Sequence, residues 1–255
     1  MPDTIHGAGI VARGVGKRYA GRSVDTLSDI DLDVPAGAFV TLLGPSGCGK
    51  STLLRLLARL NRPTRGRIDY TGRAEHVPDC ALVPQEPTLL PWKSVFDNVY
   101  LPLKLRGQSK GAARDAVFES LCATGLQDRA DAYPRELSGG MKMRVSIARA
   151  LVTDPDVLLM DEPFAALDEL TRHRLNDDLR ALYERRRPAV VFVTHSVEEA
   201  VFLSTTIVAL RDGRIDWQLP VDFGPDRTDL RERKDYARVR AEVSARLRGA
   251  WTDRS

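Results

Sequence analysis

The sequence predicts an α/β protein: a parallel sheet covered by helices, joined to an antiparallel β subdomain and interrupted by an inserted α-helical subdomain. Three observations predict it. Four short apolar runs, Phe39–Leu43, Val157–Met160, Val190–Val193 and Ile207–Leu210, have the unbroken hydrophobicity of strands buried on both faces. Stretches with helical spacing separate them, which is the order that crossover connections require. Two earlier segments alternate apolar and polar residues, as half-buried antiparallel strands do.

In chain order, Ile10–Val15 and Ile30–Val34 are the alternating pair, and Pro35-Ala36-Gly37 supplies a turn after the second. Phe39–Leu43 runs into a Gly-rich turn, and Ser51–Leu60 follows with Leu53, Leu54, Leu56, Leu57 and Leu60 at helical spacing, giving strand, loop, helix. Ala112–Thr124 reads as a helix closed by Gly125. Pro87–Gly111 and Gln127–Pro134 read as irregular segments that frame it, and together these form the inserted subdomain. Gly139–Val152 and Asp168–Arg186 are further helices between the later strands. Asp226–Arg248 is Arg-rich and carries Tyr236, Val239, Val243 and Leu247 at helical spacing, as an amphipathic helix laid on a core would.

Composition narrows the function. A chain of 255 residues that is 43% hydrophobic and 29% charged is globular, so disordered and fibrous classes are excluded. Thirty-eight Lys and Arg against 35 Asp and Glu leave a net charge of +3, too balanced for a nucleic-acid binder by charge alone. No apolar run reaches the ~18 to 20 residues needed to span a bilayer. Met1–His6 lacks a basic segment followed by an apolar one, so no secretory signal is expected. Cys48, Cys80 and Cys122 are odd in number and widely spaced, which argues against a disulfide framework or zinc site and for a reducing compartment.

The string Gly44-Pro45-Ser46-Gly47-Cys48-Gly49-Lys50-Ser51 fits the phosphate-loop pattern and lies where that pattern has meaning, between an apolar strand and a helix. A triphosphate is densely anionic. Glycines let backbone N–H groups converge on it, a helix N-terminus adds positive potential, and Lys50 supplies a cation, so Gly44 to Thr52 are expected to bind the phosphates. Ser51 offers a hydroxyl to Mg²⁺. Val157–Met160 then ends in Asp161-Glu162, placing Asp161 to help hold Mg²⁺ and Glu162 to take a proton from attacking water. The same reading expects the helix N-terminus and Lys50 to lower the Cys48 thiol's pKa, so that alkylation there blocks nucleotide binding.

Leu137-Ser138-Gly139-Gly140-Met141, opening a helix, resembles the signature of ATP-binding cassette (ABC) ATPases. Physically, Ser138 is an N-cap and the two glycines expose N–H groups at a helix start, a second anion site on one chain. The resemblance covers roughly residues 8–217, with the helical subdomain at about 88–137 and a partly helical C-terminal extension at 218–255. It implies a P-loop NTPase with a RecA-like core, ATP and Mg²⁺ as ligands, and a homodimer in which the signature of one subunit closes over the phosphate loop of the other. It further implies that Tyr19 stacks on adenine, that Gln85 reaches Mg²⁺ and the attacking water beside Ser51 and Asp161, that Ala166-Leu167-Asp168 crosses the dimer interface, and that His195 is the switch histidine near the γ-phosphate. Met141 stands where the family usually has glutamine, and Arg59 where many relatives have glycine.

The methionine form, with Asp161–Asp168 and the stretch from Gln85 to Trp92, resembles the nitrate, sulfonate and taurine importer group, and cassettes for pyrimidine precursors and riboflavin are similar. That implies an ATPase on the cytoplasmic face of the cell membrane, integral-membrane permease subunits, an extracytoplasmic substrate-binding protein in the same system, and no nucleic acid. Leu89, Leu90, Trp92 and Val95 are candidates for a groove that receives a permease helix, or for burial within the subdomain. An exporter cassette and a soluble non-transport cassette ATPase remain as alternatives.

Overall fold

The computed structural model describes residues 8–21, 23–72, 78–165, 167–224, 227 and 229–252. The reading of Met1–His6, and Ala166 and Asp226, lie outside the described residues. The nine strands are β1 (Gly9–Lys17), β2 (Leu27–Val34), β3 (Phe39–Leu43), β4 (Arg65–Thr71), β5 (Cys80–Val83), β6 (Val157–Asp161), β7 (Ala189–Thr194), β8 (Thr206–Arg211) and β9 (Arg214–Pro220). The α-helices are α1 (Lys50–Leu57), α2 (Val95–Leu105), α3 (Arg114–Ala123), α4 (Gly139–Leu151), α5 (Glu169–Arg186), α6 (Val197–Leu203) and α7 (Lys234–Thr252).

Two sheets result. The larger has the order β5-β6-β7-β3-β8-β9, parallel throughout except for β9, which returns antiparallel at the edge. Every residue of β3, β6 and β7 is buried, which is why their sequences run apolar without alternation. The smaller sheet, β2-β1-β4, is antiparallel, and β2 alternates buried and exposed positions along Leu27–Val34. Helices α4 and α5 cover one face of the large sheet, and α1 with the small sheet covers the other. A third cluster gathers Val95, Val99, Leu103, Val117 and Leu121 of α2 and α3 against Val145 and Ala148 of α4.

The predicted fold class holds, with three differences in its elements. The segment Pro87–Gly111, expected to be irregular, contains the helix α2. Helix α1 stops at Leu57 rather than Leu60, because Arg59 adopts a left-handed conformation (φ 57°). Strands β4, β5 and β9 and helix α6 were not anticipated from apolar runs: β4 and β9 are mostly exposed or half-buried, and β5 is four residues long. By contrast, α7 docks as expected through Tyr236, Val243 and Leu247, with Val239 packed against the same core.

Candidate functional site

Strands β3, β6 and β7 are neighbours in the parallel sheet, so the loops leaving their C-terminal ends meet. The loop after β3 carries the phosphate-loop string. Gly44 takes φ 159° with the Leu210 carbonyl so close that a Cβ would lie 2.3 Å from it, and Gly49 (φ 107°) would put a Cβ 2.7 Å from Leu27. Only glycine fits both. A hairpin pins the loop from outside: the Gly213 N–H, between β8 and β9, donates to the Cys48 carbonyl at 3.1 Å. Pro45 is half-buried, Ser46 and Gly47 are exposed, and the N–H groups of Lys50 and Ser51, in the first turn of α1, have no intrahelical acceptor.

Lys50, 5% exposed, donates to the carbonyls of Gly44 (2.8 Å) and Pro45 (2.9 Å) and lies 3.9 Å from Glu162 Oε1. On the other side of Glu162, its Oε2 is 3.2 Å from His195 Nδ1. Glu162, just after β6, thus faces Lys50 at the start of α1 with one carboxylate oxygen and His195, just after β7, with the other. Glu162 itself has φ 45°, and its N–H donates to the Val193 carbonyl at 3.0 Å. Beside it, Ser51 Oγ donates to Asp161 Oδ1 at 2.9 Å. Burial raises the Asp161 pKa, the Ser51 bond and nearby Arg55 and Lys50 pull it down, and the Glu162 charge adds to the rise.

Cys48 departs from its expected behaviour. It is buried, and burial pushes its thiol's pKa up, outweighing the opposing pull of Lys50 and of backbone hydrogen bonds. The expected lowering is therefore corrected.

The other predicted residues lie further out. Tyr19 is half-buried after β1; its hydroxyl accepts from Asn61 Nδ2 at 3.4 Å, and Lys17 Nζ sits 5.2 Å from its ring centre. Gln85 is exposed in the turn after β5, and no hydrogen bond joins it to Ser51 or Asp161. Ser138 caps α4, its Oγ accepting from the Met141 N–H at 3.3 Å; Ser138 and Gly139 are exposed, Leu137 and Gly140 buried and Met141 half-buried. Asp168 caps α5, accepting from the Thr171 N–H at 3.0 Å, and such backbone bonds hold its carboxyl below the usual range. Among the described residues no hydrogen bond or ion pair links Ser138–Met141 to the phosphate loop. Of the groove candidates, Val95 is fully buried in the subdomain whereas Trp92 is 70% exposed, so these residues do not share one face.

Sequence reasoning missed Arg149. From α4, its guanidinium donates to the carbonyls of Pro87 (2.8 Å) and Thr88 (3.0 Å), tying the signature helix to the segment that follows Gln85. The sequence marked it only as one of three basic residues, with Lys142 and Arg144, in that helical stretch. Also missed were Arg172 and Glu199, which brace the turns at Leu167 and Thr194.

Comparison with known proteins bears on this arrangement. A family model described as ABC transporter matches residues 27–165. The taurine import ATP-binding protein of Rhizobium johnstonii is 44% identical over 240 residues, covering 90% of this chain and 91% of that protein. An aliphatic sulfonates import ATP-binding protein of Pseudomonas aeruginosa is 45% identical over 243 residues, covering 94% and 85%. Among solved structures, a dimeric bacterial ABC transporter cassette superposes with a TM-score of 0.75 at 31% identity, over 84% of this chain and 100% of that one. A dimeric post-hydrolysis state of an ATP-binding cassette, bound to ADP and phosphate, superposes at 0.74 with the same identity and coverage. With a phosphate loop, an acidic strand end and a serine-capped, glycine-led signature helix in one parallel-sheet fold, and with relatives matched nearly end to end, the chain belongs to the ABC transporter family.

Proposed function

We propose that the chain is the ATP-hydrolysing subunit of an importer for small sulfonate-type anions. It works as a homodimer on the cytoplasmic face of a membrane, against integral-membrane permease subunits and with an extracytoplasmic substrate-binding protein in the same system. The observation that carries the ATPase reading is the line Lys50–Glu162–His195 beside the Ser51–Asp161 pair. The import direction and the sulfonate class are supported by the relatives named for taurine and aliphatic sulfonate import. No helix among the described residues is long and apolar enough to cross a membrane, so a separate permease supplies the path.

The chemistry follows from the residues. Lys50 leaves the loop carbonyls for the phosphate oxygens, since an ammonium gains more from anionic oxygens than from neutral ones. N–H groups at the start of α1 hold the same phosphates. Glu162 accepts the proton of the attacking water, and His195, 3.2 Å from it, orients that carboxylate and the γ-phosphate. Ser51 Oγ and Asp161 Oδ1, 2.9 Å apart, form a hard oxygen pair suited to Mg²⁺, with Gln85 as a third donor. Bound there, Mg²⁺ neutralises charge on the phosphates. Tyr19 stacks on the adenine, and Ser138–Gly140 of the partner subunit's signature close the second side.

Replacing Glu162 by Gln removes proton acceptance while keeping shape. Hydrolysis should fall ~10² to 10⁴-fold with ATP still bound. Single-turnover assays check this: cleavage at the wild-type rate would remove Glu162 from the role. Purifying the same variant with ATP from native membranes should also recover a permease with several spanning helices; recovery of soluble partners alone would overturn the transport assignment.

A further inference from the structure

Arg172, in the first turn of α5, reaches two segments at once. Its Nη2 donates to the Leu167 carbonyl at 2.9 Å, just before Asp168, and its Nε lies 3.6 Å from Glu199 Oε1. Glu199, in α6, is 4% exposed and accepts a short hydrogen bond from the Thr194 hydroxyl through its other carboxylate oxygen. Thr194 Oγ1 in turn accepts from the Ser196 N–H at 3.0 Å, so both residues flanking His195 are fixed by this one hydroxyl. A carboxylate this deeply buried is retained where its partners hold it. On the other side, a Cβ on Gly140 would lie 3.7 Å from Leu167 and 3.0 Å from Thr171, so the start of the signature helix rests on the segment that Arg172 holds.

We propose that Arg172 is a positioning residue: through Glu199 and Thr194 it ties the His195 turn to the Leu167–Asp168 segment and the signature helix start, so that His195 meets Glu162 when that segment is in place. The inference rests on the role given above to His195. Arginine suits the task because Nη2 hydrogen-bonds the carbonyl while the charge of the same planar guanidinium faces the carboxylate 3.6 Å from a buried Nε that makes no hydrogen bond, whereas an ammonium serves them one at a time. A polar cavity of about 300 Å³ beside Arg172, Asn176 and Glu199 gives the guanidinium room to follow the segment.

Steady-state ATPase assays of Arg172→Gln, Glu199→Gln and the double variant test it, with thermal melting to show that each is folded. Each single change should lower kcat about tenfold with KM for ATP within about twofold of wild type, because no phosphate contact is touched. The double variant should be no slower than either single one, since both break the same link. Arg172→Lys should recover part of the lost kcat. Additive losses, near a hundredfold in the double variant, would overturn the link, as would unchanged kcat or a KM that rises in step with the fall in rate. If Arg172→Gln does not fold, Glu199→Gln, which keeps the side chain's shape, and Thr194→Val carry the same expectation. His195→Ala separates the two claims. Near-normal hydrolysis in that variant would sink the reading of His195, whereas an inactive His195→Ala beside fully active Arg172 and Glu199 variants would sink this inference alone.

Discussion

Glu162 sits at φ 45°, in the left-handed region that costs a residue with a Cβ ~1 to 2 kcal/mol. The cost buys a direction: the turn aims the carboxylate between Lys50 and His195 instead of continuing the pleat of β6. Glu162→Gly should therefore abolish hydrolysis yet raise the melting temperature by roughly 2 to 4 °C, the equivalent of about 1 kcal/mol in a chain of this size. A lowered melting temperature would mean that the contacts with Lys50 and His195 outweigh the strain. The apolar run with two terminal carboxylates made this residue legible in the sequence; its backbone angle was not, because nothing in Asp161-Glu162-Pro163 marks a left-handed turn. Cys48 shows the same division. Sequence supplies the helix start and Lys50, both of which favour a thiolate, but burial depends on the β8–β9 hairpin and on Leu27 closing over the loop. With its pKa raised, Cys48 carries less thiolate at neutral pH than a free thiol. Iodoacetamide at pH 7.5 should thus modify the exposed Cys122 well before Cys48, and peptide mass spectrometry reads the order directly. Faster labelling of Cys48 would restore the activated thiol.

Among the elements, the end of α1 shows how a side chain offsets a backbone cost. The Leu60 N–H closes back on the Arg55 carbonyl at 3.0 Å and the Arg59 N–H on that of Leu56 at 3.0 Å, a helix stop that places Arg59 in the left-handed region. Glycine is the usual occupant. Here the Arg59 guanidinium lies 3.7 Å from the ring centre of Tyr70, joining α1 to β4 by a cation–π contact worth about 0.5 to 1 kcal/mol. Arg59→Gly relieves ~1 kcal/mol of strain and loses that contact, so its stability should stay within about 0.5 kcal/mol of wild type. Arg59→Ala keeps the strain and loses the contact; it should fall below both, against the order of helix propensities, in urea denaturation. Alanine at or above glycine would remove the strain from the account. Helix α2 shows the converse limit on reading elements from sequence. Pro91, Pro102 and Gly107 argue against a helix in that window, but Pro102 falls in the last turn, where it withdraws only one backbone donor. Ser94 caps the start, Val95, Phe96, Val99, Tyr100 and Leu103 share the buried side, and Asn98, fully buried, holds Leu90, Lys93 and Ser94 through its amide. That tertiary support has no local signature. The exposed β4 and β9 were missed for a related reason: edge strands form by pairing with a neighbour and need little apolar content of their own.

At the scale of the whole molecule, the predicted site residues fall into two separate groups within one chain. Lys50, Ser51, Asp161, Glu162 and His195 converge, while Ser138 and Gly139 leave the serine-capped start of α4 exposed to solvent with no bond to that cluster among the described residues. The first group was legible because Asp161, Glu162 and His195 follow recognisable apolar runs and Lys50 and Ser51 belong to a phosphate-loop string between such a run and a helix. The second was legible as a motif, but one chain gives its exposed N–H groups no phosphate to meet. Leu170, 75% exposed beside Asp168 at the start of α5, adds apolar surface on the same segment. Under the proposed function, a second copy related by a two-fold axis would answer both features, with each signature facing the other chain's phosphate loop and ATP shared between them. The two solved cassettes that superpose on this chain are dimeric. The Glu162→Gln chain, which keeps ATP uncleaved, should therefore elute as a monomer without nucleotide and as a dimer with ATP on size-exclusion chromatography. Ser138→Arg introduced into that chain places a bulky cation in the shared interface without touching Lys50 or Ser51. It should return the protein to a monomer in the presence of ATP while equilibrium dialysis still measures one ATP bound per chain. A persistent dimer would show that the signature lies outside the interface, and loss of ATP binding by the lone chain would show that Ser138 serves its own phosphate loop rather than its partner's.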